Sequence, residues 1–288
     1  ASPVLRSLNS GMQVYRLKEE RPAVFKKIEA ALHLPQYLSY VLTGALHTDI
    51  TSIGCHTNLW DFTQQHYHRW VTEENIGEKF PAITECTALA GYTKESIPVG
   101  TGLHDSSAAL IPYLASFTAP FVLLSTGTWC ITLNPFNPHP LTMDELESDC
   151  LCYLTYKGKP VKASRLFAGN EHEQQVKRLS VYYQKEVDYY KTVEADPLLL
   201  KKYLPDFDGL KKDMSGFLPA ESVFADRELA DFASYEEAYH LLIADLMALQ
   251  VQSSWLVMKD TAVQKIFVDG GFSKNPIYMQ LLSAAFPD

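Results

Sequence analysis

Three short polar turns, each set against apolar sequence, hold the residue types best able to do chemistry. The first, Gly100-Thr101-Gly102-Leu103-His104-Asp105-Ser106-Ser107, places a carboxylate where the apolar helical run AALIPYLA begins. A carboxylate there can take a proton from a substrate hydroxyl, and it can equally serve as a helix N-cap. The second turn, Ser125-Thr126-Gly127-Thr128, lies between two strand-like runs at 120–124 and 129–133. Small hydroxyl residues and glycine between two strands predict a hairpin whose backbone amides face an anion. The third, Asp269-Gly270-Gly271-Phe272-Ser273-Lys274-Asn275, joins the apolar run Lys265-Ile266-Phe267-Val268 to the helical run PIYMQLLSAAF. Strand, glycine turn and helix together present amides and a positive helix end to a nucleotide. Paired glycines are also common where a strand simply packs against its helix. The sequence contains neither GxxxxGK[ST] nor GxGxxG, which excludes a P-loop and a dinucleotide fingerprint.

The elements that must position these turns follow from periodicity. Leu17, Phe25, Ile28 and Leu32 give residues 11–33 helical spacing, with Pro22 suited to a first turn. Pro35 opens a second helix that stops at Gly44. The polar stretch DITSIGCHTNLWDF leads to a short helix ending near Trp70, and 71–98 reads as helix then loops, closing on strand-like Ile97-Pro98-Val99. DCLCYLTYKGKPVKA predicts a hairpin turned at Lys157-Gly158. Arg165 to Ser180 reads as a loop and helix carrying Gly169, and 181–233 is charged and tyrosine-rich. The longest helix begins at Ser234, where Ser234 and Glu237 form a capping box and Leu241, Leu242, Leu249, Leu256 and Val257 an apolar face. ASFTAP, at 115–120, is the natural domain boundary.

At 288 residues the chain can bury two domain cores. Its net charge of −9 argues against nucleic acid as a partner, because phosphate backbones need a basic footprint. No run approaches the ~18 consecutive apolar residues of a membrane span, and ASPVLRSLNSG lacks a signal-peptide core. The five cysteines, Cys55, Cys86, Cys130, Cys150 and Cys152, read as reduced thiols of a cytoplasmic protein. His66 and His68 read as a solvated helix face rather than a metal pair.

GLHDSSAAL, LLSTGTW and IFVDGGFSKN, in that order, resemble the catalytic turn, phosphate hairpin and adenosine turn of the FGGY family of carbohydrate kinases. LPQYLSYVLTG, with Asp49, Thr57, Leu59 and Asp61 after it, resembles the family's sugar-domain stretch. The resemblance spans most of residues 5–285. It implies an α/β, two-domain ribonuclease-H-like fold shared with actin and heat-shock ATPases, partial in both domains. Residues 1–118 would be the C-terminal part of the sugar-binding domain, and 119–288 a nucleotide-binding domain truncated at its end.

By that resemblance the activity is ATP-dependent phosphorylation of a sugar hydroxyl, with Mg²⁺ bridging the phosphates. Asp105 would be the base, flanked by His104 and Ser106 on the sugar, with Asn9 lining the same pocket. Gly127 and Thr128 would contact phosphate, Gly270, Gly271 and Asn275 the nucleoside, and Gly169 the ribose side. No metal ligand can be named. The histidine beside Asp105 is reminiscent of rhamnulose kinases, which favours a ketose or deoxyketose such as rhamnulose or fuculose; xylulose and gluconate kinases share these motifs. A non-turnover sugar or nucleotide sensor and a protein-directed ATPase are the rival readings. A homo-oligomer is compatible with the sequence. The family's DxGT-like opening hairpin and its closing strand and helix have no counterpart here, so a fragment inactive by itself, or a remnant, is expected.

Overall fold

The structure, a computed structural model, describes residues 6–212 and 222–287; the parts of the readings above that fall on 1–5, 213–221 and 288 lie outside the described residues. The chain forms two compact units, Ala1–Thr118 with Pro138–Lys162, and Ala119–Asn137 with Ala163–Asp288. The first cut falls at the end of the ASFT segment, and 138–162 belongs with the first unit.

In the first unit the helical spacing of 11–33 is not one helix. Ser10–Glu20 ends at Arg21, whose φ of −138° and ψ of 60° leave the helical region, and Pro22–Phe25 restarts as a single turn. The proline ring disfavours α geometry in the residue before it, so the pattern breaks where Pro22 sits. Leu34–Thr43 runs as expected to Gly44, which caps it at a φ of +74°. This helix buries Gln36 and Ser39, while Leu34, Leu38, Val41 and Leu42 are more than half exposed. Its inward face is polar because it must satisfy backbone carbonyls, as the site shows below. Ile53, Leu59, Val71, Ile76 and Phe80 form a packed cluster in this unit. The hairpin at Lys157-Gly158 is closed by Thr155 N–H to Lys159 O and Gly158 N–H to Thr155 O, both 2.8 Å, with Gly158 at a φ of +72°. His66 lies in the strand His66–Tyr67, and His68 caps the helix Arg69–Glu73 through Nδ1, so these rings do not share a helix face.

The second unit is built on a sheet in which Lys265–Gly270 pairs in parallel with Phe121–Thr126, and Phe121–Thr126 pairs antiparallel with Cys130–Asn134. Pro160–Leu166, the strand along which the chain passes between units, follows Cys130–Asn134 in the sheet order. A fully buried Val or Leu in such a strand contributes about 1.5–3 kcal/mol, and Phe121 to Leu124 are all at most 1% exposed. Tyr235–Met258 is not amphipathic as the leucine spacing implied: 18 of its 24 residues are buried, on every side. Helices apolar all round are core helices or membrane spans. This one is long and apolar enough to cross a membrane, but it packs within a hydrophobic cluster of this unit that also takes in Leu124, Leu166, Phe272 and Leu281. Asn134 and Asn137 each donate to Val257 O near its end, at 2.8 and 2.9 Å. Its capping box is displaced at one arm. Ser234 Oγ accepts Glu237 N–H, but the Glu237 carboxylate returns to Ala233 N–H.

Candidate active site

In the first unit the acidic turn is held from behind by two elements. Gln36 Nε2 donates to Thr101 O and Gly102 O at 3.3 and 3.0 Å, and Ser39 Oγ to Gly100 O at 2.8 Å. Gly102, at a φ of +76°, sits so close that a Cβ would lie 2.8 Å from Pro35 O. On the other side Thr51 Oγ1 accepts His104 N–H at 2.9 Å. Thr51 in turn donates to Asp49 Oδ1, which also accepts Ser52 N–H at 3.0 Å; Cys86 Sγ donates to Asp49 Oδ2 at 2.7 Å. Asp49 is wholly buried, so these donors are what offset the cost of desolvating its charge. Burial, then the Asp49 carboxylate, pushes the Cys86 thiol up to about 12.

The helix Asp105–Ser116 starts at the acid itself, and its N-cap is His104, whose Nδ1 accepts Ser106 N–H at 3.3 Å. The alternative of Asp105 as N-cap is therefore replaced by His104 in that position. Asp105 is the first helical residue, its side chain 93% exposed, with Oδ1 taking Ser106 N–H at 2.6 Å and lying 3.1 Å from His104 Nδ1. Burial lowers the His104 pKa against the raising effects of Asp105 and Asp49, so the ring is neutral near pH 7. Asn9 is buried at the N-terminus of Ser10–Glu20 and makes no side-chain cap bond there. The next residue, Ser10, donates N–H to His56 O and meets His33 Nε2 at 2.9 Å through Oγ. The His56 ring lies 6.1 Å from that of His104, so this loop borders the histidine side of the acidic turn.

The second unit brings its three glycine-bearing turns together. Thr126 Oγ1 donates to Asp269 O and accepts Phe272 N–H at 3.0 Å, while Gly270 stands where a Cβ would be 1.8 Å from Thr126 O. At Gly169 a Cβ would be 1.8 Å from Gly127 O, and Asn170 N–H donates to Thr128 O at 3.1 Å. Around them opens a cavity of about 450 Å³ that Gly127, Gly169, Gly271 and Asn275 line, with Thr126, His172, Tyr190, Lys191, Phe272 and others. Gly270 and Thr128 are not among the residues that line it, though their chain neighbours Gly271 and Gly127 are. The hairpin does not present every amide outward, since Gly127 N–H closes on Trp129 O at 2.9 Å. Asn275 is fully engaged as a cap: Oδ1 accepts Ile277 and Tyr278 N–H, and Nδ2 donates to Tyr239 OH at 2.7 Å.

Several residues here escaped the sequence reading. His172 meets Tyr239 OH at 3.0 Å and packs edge-on against Tyr190 and Phe272; burial takes its pKa down to about 4. Tyr190 and Lys191 come from the tyrosine-rich stretch that carried no motif. Thr51 offered a signal in Asp49-Ile50-Thr51-Ser52, a helix-start pattern, though nothing in it pointed to His104.

Residues 118–288 match the family description "Carbohydrate kinase FGGY, C-terminal domain", and residues 2–111 match "FGGY family of carbohydrate kinases, N-terminal domain". A rhamnulokinase of Halalkalibacterium halodurans is 26% identical over 141 residues, covering 44% of this chain and 29% of the relative. A protein described as a probable L-xylulose kinase of Pasteurella multocida is 31% identical over 98 residues, 33% of this chain and 20% of the relative. A solved carbohydrate kinase from Novosphingobium aromaticivorans superposes with a TM-score of 0.73 at 24% identity, over 96% of this chain and 61% of that one. The chain thus spans less than a third of each of these curated relatives and about three fifths of the solved structure. The two-domain α/β architecture implied by the family resemblance is the architecture these likenesses show.

Proposed function

Because this chain belongs to the FGGY family of carbohydrate kinases, we propose that the protein carrying it transfers the terminal phosphoryl group of ATP to a sugar hydroxyl, the acceptor being a ketose or deoxyketose of the rhamnulose or fuculose kind. The observation that carries the proposal is the cavity in the second unit, where four residues expected to meet the nucleotide, drawn from three distant turns, line one space. Its volume falls in the range of small-ligand sites. The glycines whose Cβ atoms would strike neighbouring carbonyls are what keep those turns together.

In this reading His172, Tyr190 and Phe272 bracket the base and Lys191 and Lys274, which also line the cavity, offer positive charge, while Thr128, next to the lining residue Gly127, meets phosphate. ATP supplies the phosphoryl group. Mg²⁺ would come with the phosphates, which furnish much of its coordination, and no carboxylate of this chain is assigned to it. Asp105, whose Oδ1 is held by Ser106 N–H, takes the hydroxyl proton on Oδ2, a contribution of about 10²–10⁴ in rate. His104 and Ser106 border the sugar, and Asn9 closes the far side. Phosphoryl transfer needs little beyond such positioning and charge neutralisation. Five cysteines outside any disulfide fit a cytoplasmic protein.

The test is Asp105→Asn in the intact protein, with ATP binding by calorimetry and ADP release against a panel of ketoses. ATP should bind as before while sugar-dependent ADP release falls by ~10²-fold or more. Unchanged turnover would remove Asp105 from the role of base. Wild-type binding of ATP without any sugar-dependent ADP release would instead identify a sensor.

A further inference from the structure

Beside the acidic turn the first unit gathers a thiol and two imidazoles, of which only His104 has a role in the function proposed above. The ligand atoms of Cys55, His56 and His104 all lie within 4.8 Å of one another. Cys55 is buried, its N–H on Ser52 O at the end of the helix Ile50–Ile53. His56 has a φ of +52°, rare for a residue with a Cβ. That turn breaks the alternation that would send adjacent side chains apart. The two imidazoles are also oriented. His56 Nε2 meets Tyr153 OH at 3.0 Å, so Nδ1 is the nitrogen that would ligate. His104 Nδ1 faces Asp105 Oδ1 at 3.1 Å, so its Nε2 would ligate.

We propose that Cys55, His56 and His104 bind a thiophilic divalent cation of the Zn²⁺ class, and that this cation restrains Asp105 through the His104 ring. One sulfur and two imidazole nitrogens suit Zn²⁺ and are poor ligands for Mg²⁺ or Ca²⁺. Tetrahedral zinc with bonds of about 2.0–2.3 Å holds its donors roughly 3.3–3.8 Å apart, so closure asks for side-chain shifts of about 1 Å. Binding releases the Cys55 thiol proton to solvent and takes up the imidazoles in their neutral form. The fourth position stays open to water. With Nε2 on the metal, the His104 ring proton moves to Nδ1, which gives up its cap contact with Ser106 N–H (held more closely by Asp105 Oδ1, at 2.6 Å) and donates to Asp105 Oδ1, the carboxylate–histidine–metal arrangement that fixes ligating rings elsewhere.

The site and its effect are read separately. Co²⁺ titrated into the intact protein should give intense tetrahedral d–d bands and a near-ultraviolet thiolate charge-transfer band, saturating at one equivalent and erased by Zn²⁺. Cys55→Ser should lose the charge-transfer band, and Cys86→Ser should keep it. His56→Gln should weaken Co²⁺ binding by ~10-fold or more, and far-ultraviolet circular dichroism of each variant checks the fold. Absence of the bands in wild type, or a charge-transfer band unchanged in Cys55→Ser, overturns the site; should Cys55→Ser not fold, unweakened binding in His56→Gln does the same. The inhibitory arm rests on the function proposed above: micromolar Zn²⁺ should depress ADP release in wild type and not in Cys55→Ser. Metal bound without inhibition would leave the site standing and overturn the restraint on Asp105.

Discussion

Gly169 and the Gly127 carbonyl are so close that a methyl group on Gly169 would stand 1.8 Å from that oxygen. The start of the helix Ala168–Tyr183 is therefore pressed directly onto the hairpin that turns at Gly127. Gly169→Ala should force the two apart and widen or distort the cavity. If the proposed nucleotide site is right, ATP affinity should fall by at least ~10-fold, about 1.4 kcal/mol, in calorimetry. Unaltered ATP binding would mean that Gly127 and Gly169 do not shape the nucleotide site.

Thr51 is the last link between buried Asp49 and the acidic turn, accepting His104 N–H and donating to Asp49. Thr51→Val keeps the volume and deletes both bonds. A positioning role predicts a lower kcat with little change in KM for ATP, and partial recovery in Thr51→Ser. A variant that loses only thermal stability, with kcat intact, would mark the hydroxyl as structural.

His172 titrates near 4, down from an ordinary 6.5, because burial penalises its charged form. The unfolded chain therefore binds more protons than the folded one between about pH 6.5 and 4. Stability from this ring is fully present above 6.5 and is lost as pH falls through that window, by about 3 kcal/mol at most. His33, shifted to about 4 by burial and then by His104, follows the same sign in the other unit. Denaturant titrations at pH 7 and pH 5 should show the loss, and His172→Gln should reduce it. A chain equally stable at both values contradicts the assignment.

Lys162 and Glu145 form an ion pair at 2.7 Å with each side chain only 5% exposed. Glu145 is also the reciprocal arm of a capping box with Thr142, at 2.9 and 3.2 Å. Lys162→Met would leave a carboxylate buried without its cation, a loss on the order of 3–5 kcal/mol. The double change Lys162→Met with Glu145→Leu should recover much of it. Recovery would be visible as a return of the denaturation midpoint; equal stability of single mutant and wild type would show the pair to be dispensable.

What the sequence determined was local. Gly44 ends its helix, Gly158 turns its hairpin and Asn275 starts its helix because each is the residue that its backbone geometry or capping bond favours. The three turns could be read for the same reason, since tight turns and close backbone approach leave a signature in residue type. Where a neighbour distant in the chain sets the outcome, the pattern misled or was silent. Pro22 broke a helical spacing that Phe25, Ile28 and Leu32 continued on paper. Tyr235–Met258 is enclosed on all sides because strands and helices from both ends of the unit cover it, which leucine spacing does not encode. Only the tertiary structure made Thr51 a partner of His104, set Cys55 beside two histidines and placed Tyr190 in the cavity. Each of these depends on contacts between residues tens of positions apart, fixed by how the core packs and not by any local preference of the chain.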